Sequence, residues 1–464
     1  MTAPDADSFA TLSIRPELLS AITDSGYHTM TPVQTGCLPT ILANRDVIAQ
    51  AKTGSGKTAA FAIGILSDLN IQSTTTQAIV LCPTRELAEQ VARVIRQLSA
   101  KMANTKVLTL CGGKPMQGQL ASLQHSPHIV VGTPGRILKH LSKETLDVSP
   151  VRTVVLDEAD RMLDMGFRED ITKILNFLNN KRQTLLFSAT FPDSIHEVSS
   201  VAQNNPEVIR VDTTAEGQIE QVLYQADDDK SQLLIRLLRH HQPESCIVFC
   251  NQKKDCQELT GKLTKHGFYA LQLHGDLDQY QRDQAIVQFD NQSCSLLVAT
   301  DVAARGLDIK ELSAVINYDI TPDPEVHVHR IGRTGRAGST GLAITLTHPS
   351  EANRVNAIED YQKHPLTKKN ISDLKSKPKD PARPPMVTLQ IRGGRKDKIR
   401  PGDIVGALTA NAEISGDQIG KISIGDKTSF VAVQRNLAKP ALGTLSEGKI
   451  KGRKYRASVL GLQS

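Results

Sequence analysis

46-DVIAQ-50, 51-AKTGSGKT-58 and 59-AAFAIGILSDL-69 follow one another as an apolar strand, a glycine-rich turn and an apolar helix. Glycines let backbone N–H groups approach phosphate oxygens, and the N-terminus of the next helix adds its positive end. Lys57 is then placed to span the terminal phosphates of a nucleotide, and Thr58 to offer an oxygen to Mg²⁺. Because Ala51 stands where the generic loop has glycine, a chance match without nucleotide stays open from this stretch alone. The pattern predicts a nucleotide-binding loop made by Ala51, Lys52, Thr53, Gly54, Ser55, Gly56, Lys57 and Thr58.

A second signal lies where the apolar strand 151-VRTVVL-156 runs into Asp157, Glu158, Ala159 and Asp160. Acids at the carboxyl end of a buried strand are costly unless they face a cation or water, and ligands bind at this edge of an open parallel sheet. We therefore predict that Asp157 holds Mg²⁺ through water and that Glu158 orients or deprotonates the attacking water. The alternative is a helix N-terminus that its acids merely stabilise.

The same alternation of short apolar strands and amphipathic helices continues on both sides of these motifs and begins again near residue 245. It predicts two similar α/β domains with parallel sheets. Near Met386 a third unit of strands and one helix begins, which predicts a small α+β domain. The strands meant are 77-QAIVLC-82, 128-HIVVG-132, 183-QTLLFSAT-190, 245-SCIVFC-250, 269-YALQLH-274, 294-CSLLVAT-300, 313-SAVINYD-319, 341-GLAITL-346, 386-MVTLQI-391, 419-IGKISI-424, 428-TSFVAV-433 and 455-YRASVL-460, with a helix at 402-GDIVGALTAN-411. The expected boundaries are 1–210, 211–360, a Lys- and Pro-rich linker at 361–385, and 386–464.

Length and composition exclude several classes of protein. With 464 residues, 39% hydrophobic and 22% charged, the chain is too long for a small module and too apolar for a disordered one. No run approaches the roughly 18 apolar residues of a membrane span, and the first residues are acidic rather than basic and apolar. Seven cysteines without a Cys-x-x-Cys pair favour a reducing compartment and no zinc site. We expect a cytoplasmic protein with no membrane contact and no obligate protein partner.

The positive charge is concentrated at the C-terminal end. Residues 384–464 hold 14 Lys and Arg against 6 Asp and Glu, a net charge of +8, whereas residues 1–383 carry −2. A basic unit beside a nearly neutral body indicates a module that binds a polyanion. A merely solubilising surface is the alternative.

A series of short motifs, which includes the nucleotide loop and the acidic motif, resembles that of the DEAD-box RNA helicases in the same order over nearly all of residues 1–350. Ala51 is the usual residue of that family. The matching segments are Phe9, 26-GYHTMTPVQ-34, 51-AKTGSGKT-58, 83-PTRELA-88, Gly112-Gly113, 133-TPGR-136, 157-DEAD-160, 188-SAT-190, 247-IVFCN-251, 274-HGDLDQYQR-282, 298-VATDVAARGLDI-309 and 329-HRIGRTGR-336.

The resemblance implies two tandem RecA-like domains and an RNA-stimulated ATPase that uses ATP and Mg²⁺ and yields ADP and phosphate. Gln34 is then expected to read the edge of adenine, with Phe9 and Tyr27 stacking on or walling the base. Arg333 and Arg336 match arginine fingers for the γ-phosphate. Asp308 is expected near the ribose and phosphates. Ser188, Thr190 and His329 are expected to link ATP hydrolysis to the contact between the two domains.

On the RNA side, the resemblance implies a set of residues that contacts phosphate and sugar and does not read bases. A helix beginning after 133-TPGR-136 would bend one strand, so closure on ATP would separate a few base pairs locally. The set comprises Pro83, Thr84, Arg85, Gly112, Gly113, Thr133, Pro134, Gly135, Arg136, Arg282 and Thr300.

The C-terminal unit resembles the RNA-recognition-like domain of the DbpA group within this family, through 400-RPGDIVGALT-409, 419-IGKI-422 and 448-GKIKGRKYR-456. That resemblance implies anchoring to a hairpin of 23S rRNA on large-subunit precursor particles. Because aromatic residues are absent from 386-MVTLQI-391, we expect a grip on phosphates and shape rather than base stacking. The expected contacts are Arg392, Arg395, Lys396, Lys398, Lys449, Lys451, Arg453 and Lys454. An RNA clamp with little unwinding and a DNA motor are the alternative functions.

Overall fold

The computed structural model describes residues 7–461 apart from 52–53, 192, 212–218, 227–228, 305–311, 336–339, 371, 373, 375–379 and 411–412. The chain forms two compact units, the first ending at residue 214 and the second containing residues 215–305 and 309–464. Within the described residues, no helix combines the length and the apolar character that crossing a membrane would require.

Domain 1, which forms the first unit, has a parallel sheet with helices on both faces. Its strand order is β3-β4-β2-β5-β6-β1-β7. The strands are β1 (Val47–Gln50), β2 (Ala78–Leu81), β3 (Val107–Leu110), β4 (Ile129–Gly132), β5 (Thr153–Asp157), β6 (Gln183–Ser188) and β7 (Glu207–Arg210). The helices are α1 (Pro16–Asp24), α2 (Pro32–Leu42), α3 (Lys57–Asp68), α4 (Arg85–Leu98), α5 (Met116–Leu123), α6 (Pro134–Leu141), α7 (Ala159–Asp164), α8 (Arg168–Phe177) and α9 (Asp193–Ala202).

The apolar runs of domain 1 become strands because both faces of the sheet are buried. Ile79 and Val80 are consecutive in β2, yet each is fully buried and belongs to a different hydrophobic cluster, one on each side of the sheet. A strand covered on both faces needs a continuous apolar run rather than alternation. This pattern puts the carboxyl ends of β1, β5 and β6, which are neighbours in the sheet, at one edge.

Domain 2 repeats this architecture in the second unit, with strand order β10-β11-β9-β12-β13-β8-β14 and parallel pairing. Its strands are β8 (Ile219–Gln225), β9 (Cys246–Cys250), β10 (Ala270–Leu273), β11 (Leu296–Thr300), β12 (Ala314–Asn317), β13 (Gly341–Thr347) and β14 (Thr367–Lys369). Its helices are α10 (Lys230–His241), α11 (Lys253–Lys265), α12 (Gln279–Asp290), α13 (Asp301–Ala304), α14 (Pro324–Ile331) and α15 (Ala352–Gln362).

The C-terminal domain is an antiparallel sheet with two helices packed on one face. Its strand order is β16-β17-β15-β18, and Leu389, Ile391, Val431 and Val433 of the sheet share a core with the helices. The elements are β15 (Met386–Ile391), α16 (Pro401–Thr409), β16 (Ile419–Ile424), β17 (Ser429–Gln434), α17 (Ala438–Glu447) and β18 (Ala457–Val459).

The other face of this sheet packs against domain 2. Thr388 alternates with the core residues Leu389 and Ile391, so it points away from α16 and α17, yet it is completely buried. Its hydroxyl hydrogen bonds to the hydroxyl of Ser293 at 2.7 Å and accepts from the amide of Asn291 at 3.1 Å. Those two residues follow α12 of domain 2. A polar cluster therefore lies at the centre of this contact.

Further pairs surround the cluster and fix the C-terminal domain on domain 2. They are Gln390 Nε2 donating to Tyr280 Oη at 2.6 Å, Lys421 with Asp290, and the Arg435 guanidinium 4.9 Å from the ring centre of Tyr269. The sheet face that lacks aromatic residues in 386-MVTLQI-391 is thus covered by protein, in keeping with the expectation that it does not stack on bases.

The predicted fold class is confirmed: two parallel-sheet α/β domains precede a small α+β domain. Each strand named from the sequence is present within a few residues of its expected position. Not predicted were β3, β7, β8, β14 and the helix α17. Strand β14 lies inside the segment 361–385 that was expected to be a linker and pairs with β8 in parallel register.

Candidate nucleotide and RNA sites

The nucleotide loop begins at the carboxyl end of β1 and leads into α3. Gly54 and Gly56 have φ values of 84° and 97°, a conformation that glycine adopts without the steric cost of a side chain. Lys57 is only 6% exposed and its ammonium donates to the carbonyl of Ala51 at 2.6 Å. The hydroxyl oxygen of Ser55 is buried and has no hydrogen-bond partner among the described residues. Lys52 and Thr53 of the predicted loop lie outside the described residues.

Gln34 connects the start of α2 to this loop. Its side chain is fully buried, accepts from the backbone N–H of Thr31 at 2.9 Å and donates to the carbonyl of Gly56 at 3.2 Å. A Cβ at position 56 would lie 2.6 Å from Gln34 Nε2, so the glycine also makes room for this contact. The amide thus holds the loop, and its predicted contact with adenine would use its remaining hydrogen and lone pair.

The two aromatic residues predicted to flank the base lie near the start of domain 1. Phe9 is 2% exposed and belongs to the hydrophobic core that includes α2 and α3. Tyr27 is half-buried and packs against the same core. Of the two, only Tyr27 presents a substantial surface, and the role of both toward a base stays a prediction.

The acidic motif follows β5 at the same edge as the loop. Asp157 is 2% exposed, and burial raises the pKa of its carboxyl to about 7, helped by the neighbouring carboxylate of Glu158 and opposed by Lys57. A buried carboxyl with a raised pKa is typical of sites where a cation or a reacting proton belongs.

Glu158 adopts a left-handed backbone conformation with φ of 52°, which redirects the chain between β5 and α7. Its carboxylate accepts from Nη1 of Arg161 at 2.7 Å, and both side chains are less than 10% exposed. A non-glycine residue in this conformation costs of order 1–3 kcal/mol, which is a feature of functional sites. The buried ion pair fixes the orientation of the carboxylate. Arg161 was not predicted, although a basic residue three positions after a catalytic acid on a short helix is a usable signal.

Asp160 joins the acidic motif to 188-SAT-190. One carboxylate oxygen of Asp160 accepts from the backbone N–H groups of Ala189 and Thr190, both at 3.0 Å, and from the Thr190 hydroxyl at 3.1 Å. The carbonyl of Ser188 accepts from the backbone N–H of Ala51 at 3.0 Å, and its own hydroxyl oxygen lacks a partner among the described residues. The loop, the acidic motif and 188-SAT-190 are therefore joined in domain 1.

The residues gathered here fit a nucleotide and a divalent cation. Several groups here are hydrogen-bond donors suited to phosphate. They are the buried hydroxyls of Ser55 and Ser188, which have no partner among the described residues, the backbone N–H groups of the loop at Gly54 and Gly56, and the Lys57 ammonium. The hydroxyl of Thr58 and the carboxyl of Asp157 are oxygen ligands of the kind that Mg²⁺ prefers.

In domain 2, the corresponding edge is organised by Arg330, which the sequence motifs did not single out. Its side chain is 1% exposed and binds Asp301 through Nε at 2.6 Å and Nη2 at 2.7 Å. It also donates to the carbonyl of Asp319 at 2.7 Å and to Asn251 Oδ1 at 2.9 Å. The guanidinium lies 5.1 Å from the ring centre of Phe249. One buried arginine thus ties together the ends of β9, β11 and β12.

Three of the predicted domain 2 residues lie close along the chain to this arginine or to its partner Asp301. His329 precedes it on α14, Arg333 is 7% exposed just after the helix, and Thr300 ends β11 next to Asp301. Arg282 is half-buried in the first turn of α12. Arg336 and Asp308 lie outside the described residues, so their predicted roles have no structural counterpart.

Three RNA motifs predicted in domain 1 follow β2, β3 and β4, which are neighbours in the sheet. Arg85 packs directly on Gly113, whose φ is 74°, and a Cβ there would lie 1.9 Å from Arg85 Nη1. Arg136 Nη1 donates to the carbonyl of Lys114 at 3.1 Å, next to that glycine. The first motif therefore contacts the glycine pair, and the third contacts the residue that follows it.

The remaining predicted residues of these motifs shape the helix starts. Thr84 caps α4 by accepting from the N–H of Leu87 at 3.2 Å, after the buried Pro83. Thr133 and Pro134 begin α6 and are followed by the exposed Gly135. Gly112 has open space where a Cβ would be.

In the C-terminal domain the predicted basic residues come together at one edge. The loop between β15 and α16 and the loop between α17 and β18 are joined by a hydrogen bond of 2.9 Å from Lys451 Nζ to the carbonyl of Lys398. A groove of about 780 Å³ between α16 and α17 reaches Lys449 and Lys451. All of the predicted basic side chains are exposed, and they are Arg392, Arg395, Lys396, Lys398, Lys449, Lys451, Arg453 and Lys454.

Comparison with known proteins finds matches along most of the chain. Residues 31–198 match the DEAD/DEAH box helicase family, residues 229–338 the helicase conserved C-terminal domain and residues 388–459 the DbpA RNA binding domain. The ATP-dependent RNA helicase DbpA of Escherichia coli (strain K12) is 50% identical over 462 residues, which cover 98% of this chain and 99% of that protein. The DEAD-box ATP-dependent RNA helicase CshA of Geobacillus kaustophilus (strain HTA426) is 44% identical over 362 residues, 77% of each.

A solved structure is similar to the helicase part of the chain. Dbp5 of S. cerevisiae bound to RNA and ADP BeF3 is 32% identical, with a TM-score of 0.73 over 79% of this chain and 96% of that one. The two parallel-sheet domains are accordingly RecA-like, and the enzyme is an RNA-stimulated ATPase. The chain therefore belongs to the DEAD-box family of ATP-dependent RNA helicases and carries a DbpA-type RNA-binding domain.

Proposed function

We propose that this helicase separates short RNA duplexes locally and that its C-terminal domain directs it to a hairpin of 23S rRNA during assembly of the large ribosomal subunit in the cytoplasm. The observation that carries the proposal is the basic edge of the C-terminal domain, made by two loops beside the groove between α16 and α17. The opposite face of that domain is occupied by domain 2. We therefore propose that a folded RNA binds the helical face and its loops.

On the nucleotide side, we propose that Gln34 selects adenine and that Lys57 contacts the terminal phosphates of ATP. Thr58 and Asp157 would hold Mg²⁺, which supplies charge neutralisation at the phosphates when bound. Glu158 would orient and deprotonate the attacking water, and the Arg161 pair supports this because it fixes the carboxylate. Arg333 and Arg336 would act as arginine fingers. Ser188, Thr190 and His329 would couple hydrolysis to domain contact.

On the RNA side, two contacts support a single backbone-binding surface on domain 1: Arg85 packs on Gly113, and Arg136 donates to the carbonyl of Lys114, next to that glycine. Thr300 and Arg282 would contribute the domain 2 part. Phosphate and sugar contacts carry no sequence information, so this surface would accept any RNA strand. Choice of target would then depend on the C-terminal domain.

The test is a panel of transcripts, each holding one 23S rRNA hairpin next to the same short duplex, with 16S rRNA hairpins of equal length as controls. ATP hydrolysis and duplex displacement are measured for the full chain. One 23S hairpin is expected to stimulate hydrolysis at concentrations at least about 100-fold lower than the controls, which corresponds to roughly 3 kcal/mol of selective binding. Equal stimulation by all hairpins would contradict the targeting. Stimulated hydrolysis without displacement would favour the RNA clamp.

A further inference from the structure

A buried glutamine lies between the RNA motifs of domain 1. Gln119, on α5, is 6% exposed and uses both ends of its side-chain amide. Its Nε2 donates to the carbonyl of Cys111 at 3.0 Å, just before the Gly112-Gly113 pair. Its Oε1 accepts from Nη1 of Arg136 at 2.8 Å. One side chain thus links the loop after β3 to the arginine of 133-TPGR-136.

The same oxygen has a second partner that fixes its orientation. Nε2 of the fully buried His140 lies 3.0 Å from Oε1 of Gln119. Because Arg136 only donates, the atom facing it must be the amide oxygen, and His140 must then carry its hydrogen on Nε2. Nδ1 of His140, 2.8 Å from the hydroxyl of Thr145, completes the chain of hydrogen bonds. The amide therefore has one orientation.

The loop after β3 is braced from its other side as well. The ammonium of Lys114 pairs with Glu89 of α4 at 2.5 Å, and the Lys114 carbonyl accepts from Arg136 at 3.1 Å. Within the described part of the chain, the hydrogen bonds of the Arg136 guanidinium all use Nη1, which leaves Nε and Nη2 for a phosphate. A guanidinium held in this way loses little further freedom when it binds an anion.

From this geometry we infer that Gln119 is a positioning residue for RNA binding, which presents the Arg136 guanidinium to the RNA backbone in register with the Gly112-Gly113 loop. The inference rests on the proposed role of Arg136 in RNA binding. Gln119 itself touches neither RNA nor nucleotide. Its effect is confined to RNA affinity, because the nucleotide loop and the acidic motif follow other strands of the sheet.

A double-mutant cycle tests the inference with the full chain and a uridine 20-mer, which offers no hairpin. The RNA concentration for half-maximal ATP hydrolysis and kcat at saturating RNA are measured for Gln119→Leu, Arg136→Ala and the combination. Each single change is expected to raise the half-maximal concentration roughly tenfold and to leave kcat within about twofold. The double variant is expected to equal Arg136→Ala, because Gln119 acts only through that arginine.

Two control variants separate positioning from a structural role. Thr145→Val removes the hydroxyl on the far side of His140 and should cost stability without changing the half-maximal RNA concentration. Gln119→Glu keeps an acceptor for Arg136 and His140 but loses the donor to the Cys111 carbonyl, so it should recover part of the RNA affinity that Gln119→Leu loses. If Gln119→Leu does not fold, Gln119→Met carries the same expectation.

Each alternative result overturns a defined statement. The positioning role would be overturned if the two single losses of RNA affinity multiplied in the double variant. It would also be overturned if Thr145→Val lost as much RNA affinity as Gln119→Leu. The positioning role would also be overturned if Arg136→Ala weakened RNA binding and Gln119→Leu did not. The proposed RNA role of Arg136 would then survive. An unchanged Arg136→Ala would overturn both.

Discussion

The side chains proposed to contact RNA in domain 1 and those proposed in the C-terminal domain are held in opposite ways. In domain 1, Arg85 and Arg136 are half-buried, one packed on Gly113 and the other hydrogen bonded to Gln119 and Lys114. In the C-terminal domain, the predicted basic residues are all exposed and lie on two loops. A fixed surface suits the regular backbone that every RNA strand offers. An exposed basic edge suits attraction to the phosphates of a folded RNA, since that attraction depends on charge more than on exact geometry.

Stopping hydrolysis should leave both RNA surfaces working. Glu158→Gln removes the proposed general base and is expected to lower the RNA-stimulated ATPase rate by about 10³-fold, within the range for such groups. Binding of a hairpin transcript and of a uridine 20-mer should change by less than about twofold, since neither surface includes Glu158. Steady-state hydrolysis and fluorescence anisotropy give the two numbers.

The matched control is Glu169→Gln, whose carboxylate on α8 is exposed and pairs with Lys173 at 3.3 Å. It should keep full activity. A Glu158→Gln enzyme that hydrolyses ATP at more than about a tenth of the normal rate would contradict the assignment.

The fixed surface of domain 1 can be broken at one backbone position. In Gly113→Ala the new Cβ would lie 1.9 Å from Arg85 Nη1, at a φ of 74° that disfavours alanine. The displaced arginine should raise the RNA concentration for half-maximal ATPase roughly tenfold, and the backbone strain should cost about 1 kcal/mol of stability.

Gly112→Ala is the control for this change, because nothing lies within 4 Å of its Cβ position. Gly112→Ala should keep the half-maximal RNA concentration of the unmodified protein, so the two variants should differ by the whole change expected for Gly113→Ala. Equal behaviour would mean that the contact between Arg85 and Gly113 has no part in RNA binding.

The basic edge should respond to charge removal through salt dependence. Lys449→Gln with Lys451→Gln is expected to weaken hairpin binding several-fold and to reduce the slope of log affinity against log salt by about 2, one for each phosphate that is no longer neutralised. Lys439→Gln with Lys265→Gln removes the same charge from positions outside this edge and should leave the slope unchanged. Identical slopes for the two double variants would argue that the edge makes no phosphate contacts.

The smallest expected effect concerns the pH dependence of folding. With its pKa raised to about 7 by burial, Asp157 binds its proton more tightly in the folded than in the unfolded chain. Its contribution to stability is therefore present below the unfolded pKa near 4 and is lost as the pH rises toward 7. Asp157→Asn cannot ionise. Without nucleotide or Mg²⁺, its melting temperature relative to the unmodified protein should be higher by a few degrees at about pH 8 than at about pH 5.

Differential scanning fluorimetry at the two pH values measures this difference, and Asp147→Asn is an exposed control. A difference that does not change with pH would show that the Asp157 carboxyl titrates normally.

Much of the architecture could be predicted because buried parallel strands have a distinctive sequence. Ala78–Leu81 and Ile129–Gly132 are apolar throughout and were predicted as strands. Thr367–Lys369 has no apolar residue, and its strand forms because the backbone of β8 offers hydrogen bonds to it. Helix α17 was missed since Pro440 and Gly443 weaken its helical pattern. The sequence carries no local signal for such elements.

In the candidate site, the motif residues could be predicted from the sequence, whereas most of the residues that hold them in place could not. The loop, the acidic motif and 188-SAT-190 were named from residue type and order, and domain 1 joins them. Arg330 and Gln119 were not named, because each is a polar residue whose role depends on burial against residues brought together by the fold. Arg161 was not named either, although its spacing from Glu158 is a usable signal. Packing of Thr388 between Asn291 and Ser293 was equally hidden, since a single threonine in a strand does not reveal a partner domain.

We assign general RNA binding to domain 1 and choice of target to the C-terminal domain. The most direct test is the ratio of ATPase stimulation by a hairpin transcript to stimulation by an equally long hairpin-free RNA. It is measured for the unmodified protein, the Lys449→Gln/Lys451→Gln variant and Gly113→Ala. We predict that the lysine variant lowers this ratio several-fold while stimulation by the hairpin-free RNA changes little, and that Gly113→Ala keeps the ratio while both RNAs become less effective to the same extent. An unchanged ratio in the lysine variant, or a lowered ratio in Gly113→Ala, would contradict the account.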